Sequence, residues 1–167
     1  LTGRNVSINC IEVPNADLDP EQVVAYEVGL KADRGAWHGG FSAFLSDFTD
    51  LIQRVPTALV IDALPVSTRE NVADAEMYGG EVWADVDVGC GWRAWGSASY
   101  VRGTNLENDQ PLNKVPPLNG TFGARWTRAD DRLWVEPYAR WSGRQTRLSD
   151  ADEADFRIGP DGTPGWI

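Results

Sequence analysis

The sequence predicts an all-β protein: an antiparallel up-and-down meander of about six strands forming part of a transmembrane β-barrel. Three observations predict it. Apolar and polar residues alternate with period two in one stretch after another. The connections between those stretches are short and long by turns. No apolar run approaches the ~18–20 residues that a membrane-spanning helix needs. Of the 167 residues, 42% are hydrophobic, too many for a disordered chain, yet the mean hydropathy is only −0.36.

The strands are taken in chain order. Residues 1–21 read as a loop with Asn5, Pro14, Asn15 and Pro20. In residues 22–32, Val24, Tyr26, Val28 and Leu30 share one face and Ala25, Glu27, Gly29 and Lys31 the other. Residues 33–38 form a short turn, and residues 39–48 set Phe41, Ala43 and Leu45 against Ser42, Phe44 and Ser46. The next stretch, 49–70, is polar, holds Pro56 and Pro65, and is expected to be a long loop. Its apolar middle, 58–64, is expected to extend a strand or form a hairpin outside the membrane. Residues 77–88 alternate Tyr78, Val82, Ala84, Val86 and Val88 with Glu81, Trp83, Asp85 and Asp87. After the turn 89–91, residues 92–101 alternate Trp92, Ala94, Gly96, Ala98 and Tyr100 with Arg93, Trp95, Ser97 and Ser99. A long loop covers 102–120. Residues 121–127 place Phe122, Ala124 and Trp126 on one face; the turn 129–131 comes next. Residues 132–141 set Leu133, Val135, Ala139 and Trp141 against Trp134, Glu136, Tyr138 and Arg140. Pro137 is a misfit there, because proline cannot donate to a ladder.

Short turns on one side and long loops on the other match a barrel of the outer-membrane kind; a β-sandwich alternates loop length less regularly. The polar faces are too charged for a dry core. The candidates for side chains facing the barrel lumen are therefore Glu27, Glu81, Asp85, Arg125, Glu136 and Arg140. Eight tryptophans and four tyrosines suit an aromatic girdle at a membrane interface. Its candidates are Trp37, Trp92, Tyr100, Trp126 and Trp141.

Other readings of the motifs are weaker. The net charge of −10 argues against nucleic acid as a partner, since phosphate binding needs a basic surface. Residues 89–94 (GCGWRA) partly match a dinucleotide fingerprint, but a strand comes after them where a helix is required, so they read as a turn. Residues 150–155 (DADEAD) lack the glycine and bidentate glutamate of a calcium loop and read as a solvated acidic loop. His38 is the only histidine; beside Trp37 in a turn it reads as an interfacial side chain, not a catalytic base. Carboxylate pairs drawn from Glu81, Asp85 and Glu136 arise by chance on so acidic a face. No enzyme, metal or cofactor site is expected. Cys10 and Cys90 are compatible with one bridge or two free thiols. The start, Leu1-Thr-Gly-Arg, has neither the basic beginning nor the apolar core of a signal peptide. It also lacks an initial Met, which fits an excised fragment.

Four segments in order resemble the TonB-dependent outer-membrane receptor family. Residues 16–33 (ADLDPEQVVAYEVGLKAD) are similar to the family's N-x-x-L-x-P-E…Y-E-x-G-L-K segment. Residues 41–52 (FSAFLSDFTDLI) resemble its aromatic strand ending in D-x-I/L. Residues 72–86 (VADAEMYGGEVWADV) resemble N-x-x-x-A-x-x-x-G-x-E-x-E. Residues 108–126 (NDQPLNKVPPLNGTFGARW) resemble P-L-x-x-x-P-P-x-x-x-x-x-G-x-R-Y. The resemblance implies the C-terminal part of a barrel of roughly 22 strands, with residues 1–167 as a partial barrel domain. The plug domain, the TonB box and the final strands are expected to be missing, and 162–167 falls where a further strand should start. About six strands cannot close a membrane barrel, which needs roughly eight or more, so two raw sheet edges would remain.

The implied function is energised uptake of a scarce solute such as a ferric siderophore across the cell outer membrane. The implied partners are outer-membrane lipid, the receptor's own plug, TonB and a small-molecule ligand such as a metal chelate. Loops 49–70, 102–120 and 142–161 would then face outside. The alternative is a soluble secreted β-domain that binds carbohydrate through exposed tryptophans. Detergent separates the two: a barrel piece is expected to aggregate without it, whereas a carbohydrate-binding module stays monomeric in buffer by size-exclusion chromatography and binds a glycan.

Overall fold

The computed structural model describes residues 11–167; Cys10 and the earlier part of the expected leading loop lie outside the described residues. The chain forms β1 (Ile11–Glu12), β2 (Gln22–Arg34), β3 (Trp37–Ile61), β4 (Leu64–Gly89), β5 (Trp92–Asn105), β6 (Asn119–Thr127), β7 (Trp134–Val135), β8 (Tyr138–Ser142) and one helical turn, α1 (Asp150–Ala154). β2 to β6 pair antiparallel in chain order, and β6 then pairs with both β7 and β8. Strand accounts for 64% of the described residues and helix for 3%, so among them no helical layer covers either face of this curled half-barrel.

The register carries the period-two pattern across the whole sheet. Tyr26 lies opposite Leu45, Leu45 opposite Tyr78, and Tyr78 opposite Arg102. Two rows along, Leu30, Phe41, Val82, Ala98, Gly120 and Trp141 are successive partners. Since side chains alternate faces, the apolar positions of every strand fall on one common face. Among the described residues no layer covers its strand rows: Tyr26 is 62% exposed, Val82 49% and Phe122 53%. Among the described residues only Val66, Ala75 and Leu112 are buried apolar side chains. A large apolar side chain withdrawn from water contributes roughly 1.5–3 kcal/mol. Leaving this face in water therefore costs on the order of 10 kcal/mol or more.

The high glycine and tryptophan contents are linked. The Trp95 indole lies over its cross-strand partner Gly123, so that a Cβ there would come 2.7 Å from the ring. Trp83 covers Gly40 and Trp141 covers Gly120 in the same way. The glycine leaves a flat floor; the indole restores the packing that the glycine lacks.

The long connection expected over 49–70 is instead strand, and its apolar middle, 58–64, forms the hairpin expected there. β3 and β4 have 25 and 26 residues, whereas a membrane strand needs ~9–11. Their outer halves therefore form a β-arm that turns at Asp62 and Ala63, both with positive φ (52° and 62°). That pair of left-handed residues suits the twist of a two-residue hairpin. The prolines that suggested a loop sit at its irregularities: the register shifts between Pro56 and Val60, and Pro65 is the second residue of β4. A second irregularity lies between Phe48 and Leu51, where Asp50 has φ 58°. There the Asn71 side-chain amide donates to the Asp50 carbonyl at 2.7 Å and to the Asp19 carbonyl at 3.0 Å.

Two further differences from the sequence reading have local causes. Ile11 and Glu12, expected in a loop, pair parallel with Val66 and Ser67, because β5 ends at Asn105 and leaves that stretch of the β4 edge open. The strand expected over 132–141 is divided into β7 and β8. Pro137 accepts from the Ala124 N–H at 3.1 Å but has no N–H to return. Beyond β8, Gln145 pairs with Thr163 and Ser142 with Trp166, so residues 163–166 run antiparallel to the chain leaving β8.

Gly123→Ala is expected to destabilise the sheet by about 1–3 kcal/mol, the usual cost of overpacking, because its Cβ would also meet the Pro137 carbonyl at 3.0 Å. At Gly29→Ala the nearest atom would be 3.6 Å away, and no overpacking loss is expected. The temperature at which the folded band is lost in a heat-modifiability gel measures the difference. Equal loss in both variants would refute the stacking account.

Candidate functional site

All six lumen candidates of the sequence share the face opposite the apolar one. Glu27 pairs with Phe44, Glu81 with Ser42, Asp85 with His38, and Arg125 with Arg93, all off the apolar rows. Arg140 lies opposite Thr121. Glu136 accepts from the Trp95 indole N–H at 3.0 Å, and Arg125 reaches its other oxygen at 3.5 Å. The Arg125 guanidinium also stacks 4.3 Å from the Trp134 ring, and Trp95 leans toward Tyr138 at 6.4 Å. Beside this cluster, Arg93 donates through Nε to both oxygens of Asp85, at 2.6 and 2.8 Å. The structure thus brings together Arg125 and Glu136 and gives Asp85 a partner that sequence reasoning left out. The signal was present, since Arg93 has the same parity as the polar face. Glu27, Glu81 and Arg140 make no ion pair among the described residues.

These ion pairs are half exposed, with Arg93 at 59% and Arg125 at 39%. Pairs of that kind contribute roughly 0–1 kcal/mol, so they orient side chains more than they stabilise the sheet. His38 lies in β3, not in the turn, which is only Gly35 and Ala36. It faces Asp33 at 3.1 Å on the charged side.

The girdle candidates all lie on the apolar face; Trp37, Trp92, Trp126 and Trp141 lie within one residue of a strand end, and Tyr100 lies inside β5. Trp37 comes directly after the first short turn, and Trp92 comes after the Cys90–Gly91 turn and pairs with Trp126. Tyr100 lies toward the long-loop ends, where Tyr78 and Tyr26 join it; the sequence reading had not singled out those two as girdle residues. Trp141 opposes Gly120, in register with Ala98 and Val82 in the middle of the apolar rows. Cys90 is a free, exposed thiol within a short turn.

The long-loop end is ordered by ion pairs and buried polar groups. Glu12 bridges the two strands of the β-arm, pairing with Arg54 on β3 and with Arg69 Nε on β4 at 2.7 Å. Hydrogen bonds from Arg69 and then Arg54 hold the Glu12 carboxyl below its ordinary value of 4.5. The acidic segment 150–155, expected to be solvated, is only partly so. Asp152 is 4% exposed. It caps α1 reciprocally with Ser149 and accepts the Lys114 N–H at 3.1 Å. The cause is tertiary: Lys114 arrives from the loop after β5 and supplies a donor that the local sequence does not contain. Gln145 donates to the Val115 carbonyl, so the loops after β5 and β8 form one unit. At its rim, hydrogen bonds from Arg157 hold the Asp155 carboxyl well below the usual carboxylate range.

A single sheet with one bare apolar face, one charged face and a strand order that runs with the chain is a wall segment of a membrane β-barrel. The chain belongs to the TonB dependent receptor-like β-barrel family, whose model matches residues 2–167. Solved structures agree on the fold. A structure described as the copper transporter OprC superposes with a TM-score of 0.73 at 22% identity, covering 80% of this chain and 20% of that one. The FrpB iron transporter from Neisseria meningitidis (F3-3 variant) gives 0.67 at 16% identity, covering 94% and 24%. The FpvAI–pyocin S2 complex gives 0.55 at 17% identity, covering 77% and 17%. The chain thus spans about a fifth of the length of these structures. No curated protein sequence matches it. The family is made up of transporters and receptors, not enzymes. The family match takes precedence over the alternative of a carbohydrate-binding domain.

The lowered carboxyl of Glu12 makes β1 docking pH-dependent. A depressed folded-state value means that the contribution is fully present above about 4.5 and is lost as pH falls through the lowered value. Hydrogen-exchange protection of the Val13 N–H, which donates to the Ser67 carbonyl, is expected to drop in that acid range. In Glu12→Gln the drop should be absent, with lower protection already at neutral pH; an unchanged acid profile in the variant would refute the assignment.

Proposed function

We propose that this chain is part of the barrel wall of an outer-membrane receptor that takes up a scarce solute using energy delivered through TonB. The observation that carries the proposal is the open apolar face. It suits hydrocarbon, and the charged face then suits a water-filled, plugged lumen. Bound this way, Glu27, Glu81, Asp85, Arg125, Glu136 and Arg140 face the lumen and its plug. Trp37, Trp92 and Trp126 line one membrane interface and Tyr100 the other; Trp141, in mid-row, lies against hydrocarbon between them. The β-arm and the joined loops after β5 and β8 stand outside, where a solute first meets the receptor. The transporters of copper and iron among the similar structures support a metal ion or metal chelate, such as a ferric siderophore, as the solute class.

The test uses the full-length polypeptide carrying this sequence, expressed in a Gram-negative host that lacks its own receptors for the chelates tried. Uptake of iron-55 supplied as a ferric siderophore, or of copper, is expected to require both this protein and TonB. Uptake that persists when TonB is removed would defeat the proposal. Arg125→Glu, which sets two carboxylates against each other beside Trp95, is expected to lower uptake severalfold while outer-membrane protein levels hold.

A further inference from the structure

The apolar face is not uniformly flat. Between Phe41, Val82 and Tyr100 it sinks over the small residues Ala43, Gly80 and Ala98, an open depression of about 430 Å³. That lies within the ~300–1,000 Å³ of ligand-sized clefts, and its walls are apolar. Tyr78 and Leu118 close its long-loop end.

Immediately beyond that end, the same face carries two arginines. Arg102 pairs across the sheet with Tyr78 and is exposed. Arg147 comes in from the segment after β8. It donates through Nη1 to the Gly103 carbonyl at 2.5 Å and through Nη2 to Thr104 Oγ1 at 2.8 Å. Thr104 and Arg102 are two residues apart on one strand and so share the face. Partial burial and the neighbouring Arg102 charge, in that order, lower the affinity of Arg147 for its proton. Neither arginine forms an ion pair among the described residues. Asp109 and Glu76 are the nearby acids, and neither closes on them. In a chain of net charge −10, an exposed Arg102 beside a half-buried Arg147, with no carboxylate paired to either among the described residues, forms a site complementary to an anion.

We propose that this place binds one anionic membrane lipid, its acyl chain in the depression over Ala43, Gly80 and Ala98 and its phosphate between Arg102 and Arg147. The inference rests on the reading that the apolar face meets lipid. The geometry supports a lipid over a soluble anion because the charge pair and the apolar depression adjoin end to end. A free phosphate would use only the first. Tyr78 and Tyr100 lie at the junction, where an amphipathic ring is at home between a headgroup and hydrocarbon.

The full-length polypeptide, purified in mild detergent, is mixed with a diacyl lipid of net anionic phosphate headgroup or a zwitterionic lipid with the same chains. Retained lipid is read by native mass spectrometry. Selective retention of the anionic lipid is expected. R102Q/R147Q should lower retention of the tightest-bound lipid about tenfold, the scale of one to two charge-assisted hydrogen bonds. Ala98→Leu should lower it with both arginines intact, and inorganic phosphate should not compete. Heat-modifiability gels confirm that both variants are folded. Equal retention by R102Q/R147Q, or displacement by inorganic phosphate, overturns the site. Quenching of tryptophan fluorescence by brominated lipids tests the underlying reading separately. Quenching with unselective retention sinks the lipid site alone; no quenching sinks the membrane reading and the site with it.

Discussion

Every strand of this sheet depends on its neighbour for its backbone hydrogen bonds, and in hydrocarbon there is no other partner to be had. An unpaired amide or carbonyl costs several kcal/mol where water is absent, so the ladder takes precedence over side-chain packing. That constraint explains the unbroken register from Gln22–Thr49 to Arg34–Trp37 and from Ala75–Asn105 to Asp87–Arg93. It also explains why disturbances gather at the ends: the register shift after Asp87, the bulge at Asp50 and the break at Pro137 all adjoin turns or arms. β2, exposed along its whole length, presents an edge whose outer ladder calls for a further strand.

Once the ladder is fixed, a single sheet has two faces and no interior. The hydrophobic effect, which gathers most chains around a core, has little to act on here. Among the described residues the buried apolar side chains are Val66, Ala75 and Leu112. Val66 lies in the arm, Ala75 near the base of the arm, and Leu112 in the loop after β5. They gather where the chain leaves the band of alternating strands. Within that band, packing is a surface matter of indole over glycine, as at Gly123, Gly40 and Gly120. This is why glycine and tryptophan are both abundant in one chain.

The long-loop end obeys other rules because it has more than one layer. There Glu12 ties the leading segment to both strands of the arm, Asn71 spans the bulge, and Asp152 joins the loops after β5 and β8. Each of these is a polar side chain that satisfies groups from a distant part of the chain. The result is a set of braced structures at one end of an open-edged sheet. Arg147 belongs to this end as well, yet it reaches down to Gly103 and Thr104 at the rim of the apolar rows, and so connects the braced loops to the face below.

The strands and their faces were legible in the sequence, because period-two alternation is local and every strand displays it. Glu27, Glu81, Asp85, Arg125, Glu136 and Arg140 could be assigned to one face from parity alone, and Trp92, Tyr100, Trp126 and Trp141 to the other; Trp37 read as part of a turn. Contacts between remote segments left no such mark. The apolar residues 58–64 marked the tip of the arm, but Pro56 and Pro65 made the rest of 49–70 read as a loop, and only the pairing of its two halves reveals that the prolines sit at irregularities. Asp152 looked solvated because its donor, Lys114, is 38 residues away. The closeness of Arg147 to Arg102 likewise has no local trace. Alternation determines which side of a strand each residue occupies; only the folded chain decides which distant backbone groups those residues meet.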